Sequence, residues 1–146
     1  AKETPEYPNT MNGPVEVISS GGNVIASQRV IAGPSFEETP GYAKTALTSD
    51  YHWTWYDQAS TCAVNWVLVS NPADAPVSYQ IKIGGQVMPT TADNPGTIPA
   101  HGKVTPTFPD VMNGPVEVIS TGGDVMVSQR VMWNGYFNEV LGSVLN

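Results

Sequence analysis

The stretch MNGPVEVIS occupies residues 11–19, and the same nine letters return at residues 112–120. Working outward from these two strings, each residue from Thr4 onward aligns without a gap with the residue 101 positions later. Between Met11 and Tyr42, 19 of the 32 positions are identical. Chance does not produce ungapped identity on this scale, so the chain contains an internal repeat. We call residues 4–41 the first copy and residues 105–142 the second copy.

The differences between the copies indicate strands that fill equivalent positions. Ile25 is replaced by Met126 and Ile31 by Met132, so apolar positions stay apolar. In PVEVIS the valines alternate with Glu and Ile, which is the period of two typical of a β-strand. The following SGGN or TGGD predicts a hairpin turn, and the residues after it predict a returning strand. The short TPEYP or TPTFP segment, with its prolines, is predicted to be an edge strand.

Residues 43–104 occur only once, and they show the same period of two. YHWTWYD, CAVNWVLVSNP and APVSYQIKIGG are predicted strands, and the second of them stops at Asn71–Pro72. No stretch has the period of a helix, because Gly or Pro interrupts the chain about every ten residues. The sequence therefore predicts an all-β fold, an Ig-like antiparallel β-sandwich with a duplicated three-strand motif.

The repeat also predicts the domain organisation. Residues 1–42 are expected to be a partial repeat, the last three strands of a module. Residues 43–50 are expected to be a linker, residues 51–142 a complete β-sandwich module, and residues 143–146 a tail.

The composition argues against several classes of partner. The formal net charge is −7, and six Lys and Arg residues cannot form a basic stripe, so nucleic acid is not an expected partner. An anionic membrane surface is disfavoured for the same reason, and no apolar run is long enough to cross a bilayer. The low charged fraction, with four Trp and six Tyr, favours an extracellular or cell-surface location. The single cysteine, Cys62, is expected to be a small buried apolar residue.

Five segments follow one another within residues 51–142: YHWTWYD, NWVLVSNP, IPAHGKV, GPVEVIS and SQRVMWNGYFNEVLG. In these segments the chain resembles the secreted tandem β-sandwich repeats of bacterial and archaeal cell-surface proteins, and the last third of the resemblance is repeated at residues 4–41. The resemblance implies a structural spacer or an adhesive module attached to other domains. It implies no catalytic residues.

The residues give no pattern of a known enzyme. Neither His52 nor His101 has a zinc-binding spacing, and one cysteine cannot form a zinc finger. No nucleophile elbow and no phosphate-binding loop occurs either. We therefore expect a protein that is not an enzyme, with no catalytic residues, no cofactor and no bound metal.

Two pairs of opposite charge recur in the copies. Arg29 with Glu38, and Arg130 with Glu139, are each nine residues apart. We expect structural ion pairs that hold the loop after SQRV on the sheet, because an Arg fork fixes the geometry of a carboxylate. The alternative is a ligand or calcium site that uses Glu38, Glu139 and the Asp or Asn residues, without a calcium-loop motif to support it.

Tyr51, Trp53 and Trp55 alternate along one predicted strand and would share one of its faces. If that face were exposed, the flat rings would form a sugar-stacking surface, and the protein would be a carbohydrate-binding module with a polysaccharide partner. The other interpretation places these rings in the core against Trp66, since large aromatic residues of small β domains are mostly buried.

The first copy has no matching first half of its own. Three strands alone leave an apolar face and unpaired backbone groups. The first copy can fold against residues 51–142 as part of one enlarged sandwich, or onto another molecule, or belong to a longer array whose missing half lies upstream. The second arrangement predicts a homo-oligomer, or a filament where strands exchange between subunits. The expected function is an extracellular structural or adhesive surface module that self-associates.

Overall fold

The computed structural model describes residues 1–11, 13–61 and 63–144. These residues are nearly all β, and the only helical element among them is one turn of 3-10 helix at Lys44–Ala46. No helix in the described part of the chain is long and apolar enough to cross a membrane. The interpretation of Cys62 as a buried apolar residue lies outside the described residues.

Thirteen strands form within these ranges, mostly where β-branched and aromatic residues alternate with polar ones. In chain order they are β1 (Ser27–Ala32), β2 (Ser35–Pro40), β3 (Asp50–Trp53), β4 (Tyr56–Asp57), β5 (Ala63–Ser70), β6 (Val77–Ile83), β7 (Gln86–Val87), β8 (Thr97–Ile98), β9 (Lys103–Val104), β10 (Met112–Asn113), β11 (Val116–Thr121), β12 (Met126–Trp133) and β13 (Tyr136–Leu141).

Strand β11 lies inside the first of two larger antiparallel sheets. It pairs with β3 on one side and with β6 on the other, while β7 and β8 both pair with β6. The register places Val118 between Tyr51 and Ile81. Because alternate residues share a face, this register gives the sheet one apolar face. The place that β11 occupies between β3 and β6 is called the slot below.

The second larger sheet has the order β13-β12-β5-β9. Its longest pairing joins β12 to β5 over eight residues of each strand. Strand β5 buries Val67 and Val69 completely on one face, whereas Trp66 and Leu68 on the other face are half-buried. The predicted all-β, sandwich-like fold is therefore confirmed.

One hydrophobic core holds the fold together. Every one of its buried side chains comes from residues 51–127: Tyr51, Trp53, Tyr56, Val67, Val69, Val77, Tyr79, Ile81, Ile83, Ile98, Phe108, Val116, Val118, Val125 and Val127. A fully buried Val or Ile contributes about 1.5–3 kcal/mol relative to an exposed one. The core, and with it most of the stability, thus belongs to the complete module.

Hydrogen bonds satisfy the polar groups that this core contains. The Tyr51 hydroxyl donates to the Val125 carbonyl at 2.8 Å, and the Tyr56 hydroxyl donates to the Asn65 carbonyl at 3.0 Å. Burial raises the pKa of both hydroxyls. At the end of β5, the Asn71 amide donates to the carbonyls of Ala75 (2.8 Å) and Pro99 (3.0 Å), so one side chain ties two loops together.

The first copy forms two strands, where three were predicted. β1 and β2 make a hairpin, but no described residue from 1 to 26 belongs to a strand. The segments TPEYP and PVEVIS therefore have no strand pairing here. The first copy supplies no buried apolar side chain among the described residues; only Tyr42, just after it, packs partly against the core. The structure thus differs from one enlarged sandwich built from both copies.

Candidate functional site

The most unusual surface of the protein is residues 14–19, the first PVEVIS, which we call the exposed segment. Val15 is 69% exposed, Val17 61% and Ile18 84%. In the second copy the same letters form β11, where Val116 and Val118 are completely buried. One sequence therefore stands in two environments, and the difference is the presence or absence of neighbouring strands.

The slot shows what the exposed segment lacks. In the slot, Glu117 lies opposite His52 on one side and Lys82 on the other, and the Lys82 ammonium is 2.8 Å from its carboxylate. The equivalent Glu16 meets only Lys44, at 3.7 Å and with both side chains mostly exposed. A solvent-exposed pair of this kind contributes little to stability.

The hairpin after the exposed segment folds alike in both copies. Ser27 faces Pro40 in the first copy, and Ser128 faces Leu141 in the second, which is the same register 101 residues later. Even the turn before it is alike, because Ser19 donates to the Gly22 carbonyl at 2.6 Å and Ser120 to that of Gly123 at 2.7 Å. The hairpin therefore has the same register whether or not its first strand contributes to the core.

The structure brings the two predicted Arg–Glu pairs together across each hairpin. Arg29 lies 2.8 Å from Glu38, and Arg130 lies 2.6 Å from Glu139. Hydrogen bonds from Arg29 and then from Ser27 lower the pKa of Glu38. The ion pair is therefore fully formed at pH values above the ordinary carboxyl pKa, and it is lost as the pH falls through the lowered pKa.

Each arginine of these pairs also covers an aromatic ring. The guanidinium carbon is 5.3 Å from the Phe36 ring centroid in the first copy and 5.6 Å from that of Phe137 in the second. These distances are typical of cation–π contacts. Each guanidinium thus contacts both a carboxylate and an aromatic ring on the opposite strand, and these contacts link the two strands of its hairpin.

The first hairpin is attached to the module mainly by polar contacts. The Phe137 amide donates to the Ser35 hydroxyl at 2.7 Å, and that hydroxyl lies 3.5 Å from the Phe137 carbonyl. The Asn138 amide donates to Glu37 at 3.3 Å. The Tyr42 hydroxyl donates to the Gly142 carbonyl at 2.7 Å, and burial raises the pKa of Tyr42 to about 12. Such contacts position the hairpin without building a core.

A shallow cavity of about 250 Å³ separates the first copy from the outer face of the second sheet. Val15 and Val17 line one wall, and Leu68, Met126 and Leu141 line the other. The two apolar walls face each other without packing closely, so the first copy lies over this face and leaves most of its own apolar surface exposed.

The predicted aromatic platform is not formed. Tyr51 is 0% and Trp53 8% exposed, and both are core residues, whereas Trp55 is 47% exposed because β3 ends at Trp53. Trp66 is on the outer face of β5, which is why it does not meet them across the core. A sugar-stacking surface that uses all three predicted rings is therefore excluded by the burial of Tyr51 and Trp53.

Exposed aromatic residues that sequence reasoning missed occur at the turn between β12 and β13. Trp133 and Tyr136 face each other across this turn and are 52% and 56% exposed. The first copy has Ala32 and Ser35 at the equivalent positions. A comparison of the copies at these two positions would have found the difference.

Both histidines lie beside an aspartate. His101 is 2.9 Å from Asp74, and both are exposed. His52 Nε2 is 3.0 Å from an Asp50 carboxylate oxygen, but it is buried and makes no hydrogen bond to any described residue. A close approach of poor hydrogen-bond geometry reconciles these two observations.

Asp50, His52 and Glu117 together hold three potential metal-ligand atoms within 4.8 Å of one another. Sequence spacing could not show this group, because Glu117 joins it only through the strand register. The Lys82 ammonium already provides Glu117 with a positive charge at 2.8 Å. We therefore interpret the three residues, together with Lys82, as a polar and charged cluster on the outer face of the sheet.

Comparisons with protein-family models, with curated proteins and with solved structures found no match.

Proposed function

We propose that this protein is an extracellular structural or adhesive module that self-associates through its first copy. The observation that carries the proposal is the exposed segment, whose letters form an inner strand of a sheet elsewhere in the same chain. An exposed segment with a strand-forming sequence, three exposed apolar side chains and no strand pairing is the kind of surface that pairs with another chain.

The mode of association follows from counting strands. Suppose that the first copy of one subunit replaces the second copy of another subunit. The first copy is then buried, but the second copy that it displaces becomes exposed. The exposed apolar surface is then unchanged. Addition of the exposed segment to a free sheet edge or to another exposed segment does reduce that surface. Addition to a different surface is a head-to-tail contact, which continues into a filament unless it closes into a ring.

The low number of basic residues fits a structural role outside the cell better than a role on nucleic acid or on an anionic membrane. The net charge of −7 keeps subunits soluble before they meet. Association must therefore come from apolar and backbone contacts, which the exposed segment supplies.

The test measures particle mass as a function of concentration by light scattering after size exclusion. We expect the unmodified chain to form large species and a chain with V15E and V17E to remain monomeric. Both valines are exposed in the monomer, so the substitutions leave the core intact. The matched control is V87E with V144E, which adds the same charge at exposed valines outside the first copy.

Two results would contradict the proposal. One is an unmodified chain that is monomeric at every concentration. The other is a V15E/V17E chain that assembles as readily as the control. Electron microscopy of the large species then distinguishes filaments from closed oligomers.

A further inference from the structure

We infer that the first copy can take the place of the second copy within its own chain, giving a permuted sandwich built from residues 4–104. This inference concerns folding inside one molecule, so it does not depend on self-association. The site is the slot together with the adjoining positions of β12 and β13, and its second occupant is the first copy.

The buried residues of the second copy are matched almost completely in the first. Ten residues between 105 and 144 are buried: Pro106, Phe108, Val116, Val118, Ser120, Val125, Val127, Ser128, Gln129 and Gly142. Eight of the ten have the same residue 101 positions earlier. The two exceptions are Tyr7 in place of Phe108 and Ala26 in place of Val127. The first copy therefore carries the side chains that the slot requires.

The two copies also share a glycine at a position where the backbone lies close to a core ring. A Cβ added to Gly142 would lie 2.7 Å from the Tyr51 ring, so this position in the module needs glycine. The first copy has Gly41 there, although where Gly41 now lies the nearest atom to an added Cβ is 3.5 Å away, on Ala26. The present surroundings of Gly41 do not demand glycine, whereas the position of Gly142 after β13 does.

The chain connection allows the exchange. Ser143, which follows the second copy, pairs with His52 through backbone hydrogen bonds of 2.8 and 3.1 Å. Its counterpart Tyr42 already lies beside this point, because its hydroxyl donates to the Gly142 carbonyl at 2.7 Å. The exchange thus needs residues 1–41 to move together with the Tyr42 backbone, which must take the position of Ser143 beside His52.

The two exceptions explain why the second copy occupies the slot in the observed structure. Ala26 lacks two methyl groups that Val127 places in the core, and Tyr7 would bring a hydroxyl next to Tyr56, where Phe108 now packs at 6.0 Å. The permuted sandwich is therefore the minor arrangement, and a change confined to the second copy will make it the major one.

The experiment places a charge in the slot with V118E in the full chain. Val118 is completely buried, and an unpaired carboxylate there is incompatible with β11 in the slot. We expect the V118E chain to unfold cooperatively on heating and to remain monomeric. Hydrogen exchange of amides 15–19 will slow by about tenfold or more, and that of amides 116–120 will become fast.

The controls are V17E alone, whose cooperative unfolding transition will match that of the unmodified chain because Val17 is exposed there, and V17E with V118E, which will show no cooperative transition. The inference is overturned if V118E alone is unfolded, or if V17E/V118E is still folded, since the core then tolerates the charge. It is also overturned if V118E folds only as a dimer or larger species, since the first copy then acts between chains. Loss of large particles in V15E/V17E reports on self-association and leaves these outcomes unaffected.

Discussion

The same Arg–Glu pair occurs at two degrees of exposure in this protein. The Glu139 side chain is 15% exposed and that of Glu38 is 40% exposed, while their arginine partners differ little, at 35% and 42%. Each glutamate also accepts a hydrogen bond from a serine, at 2.6 Å from Ser128 and at 2.7 Å from Ser27. The two copies therefore allow the same interaction to be compared at two degrees of solvent exposure.

E139Q is expected to lower the free energy of unfolding by about 1–2 kcal/mol, because a charged hydrogen-bond acceptor is lost from a half-buried site. E38Q is expected to leave the melting temperature unchanged, because its pair is screened by water. Thermal unfolding of both variants checks the prediction. Equal effects of the two substitutions would show that exposure does not set the strength of this pair.

At the residue scale, the sequence identified chemical partners better than it identified faces. The nine-residue spacing of Arg29 and Glu38 predicted an ion pair that holds the following loop on the sheet. The structure shows the pair at 2.8 Å, but Glu38 lies in strand β2 opposite Arg29. The alternation of Tyr51, Trp53 and Trp55 did not give three rings on one face, because the strand ends after Trp53. The end of a strand depends on tertiary pairing, which the alternation does not contain.

At the scale of elements, Asn71 shows how a strand end is fixed. It ends the long strand β5, and its side chain bonds to the loops that contain Ala75 and Pro99. Its oxygen accepts from the Ala73 amide at 3.0 Å. The Asn-Pro pair was predicted to stop the strand, but the two partner loops become neighbours only in the folded sheet.

N71A is expected to destabilise the protein by about 2–4 kcal/mol, because buried carbonyls of two loops lose their donor. N138A is the control, since that side chain is exposed and makes one weak contact of 3.3 Å with Glu37. Denaturant unfolding measures both. A loss from N71A as small as that from N138A would show that water replaces the missing amide.

The strand PVEVIS shows the limit of local prediction. Its period of two is the same in both copies, yet only residues 116–121 form a strand. Residues 14–19 have the same propensity and remain unpaired in the described structure. A strand needs partners, and the sequence predicted where partners would be required without showing which copy receives them.

At the scale of the whole molecule, one core serves a chain that contains one and a third modules. The buried apolar side chains all come from residues 51–127, and the first copy adds a covering that is attached mainly by Ser35 and Tyr42. The repeat predicted this imbalance, because only one first half exists. The position of the surplus copy over the outer face of the second sheet required the structure.

A chain of residues 43–146 is therefore expected to fold on its own. We expect the same cooperative transition as in the full chain at a lower melting temperature, since the lost contacts are a few hydrogen bonds and the packing of Tyr42 on Tyr51. Circular dichroism on heating tests this. A truncated chain that is unfolded or melts without cooperativity would show that residues 1–42 are needed for the core.

The Ser35 hydroxyl has a consequence for the polarity of any assembly. It accepts from the Phe137 amide at 2.7 Å and lies 3.5 Å from the Phe137 carbonyl, as the backbone of an adjoining strand would. At this point the outer strand of the second sheet is already capped from within the molecule. A neighbouring subunit that arrived there would find the backbone groups of Phe137 already taken, so in the self-association that we propose, growth from the two sides of a subunit would be unequal. A polymer of this protein would have a direction, with one end that accepts new subunits more readily than the other.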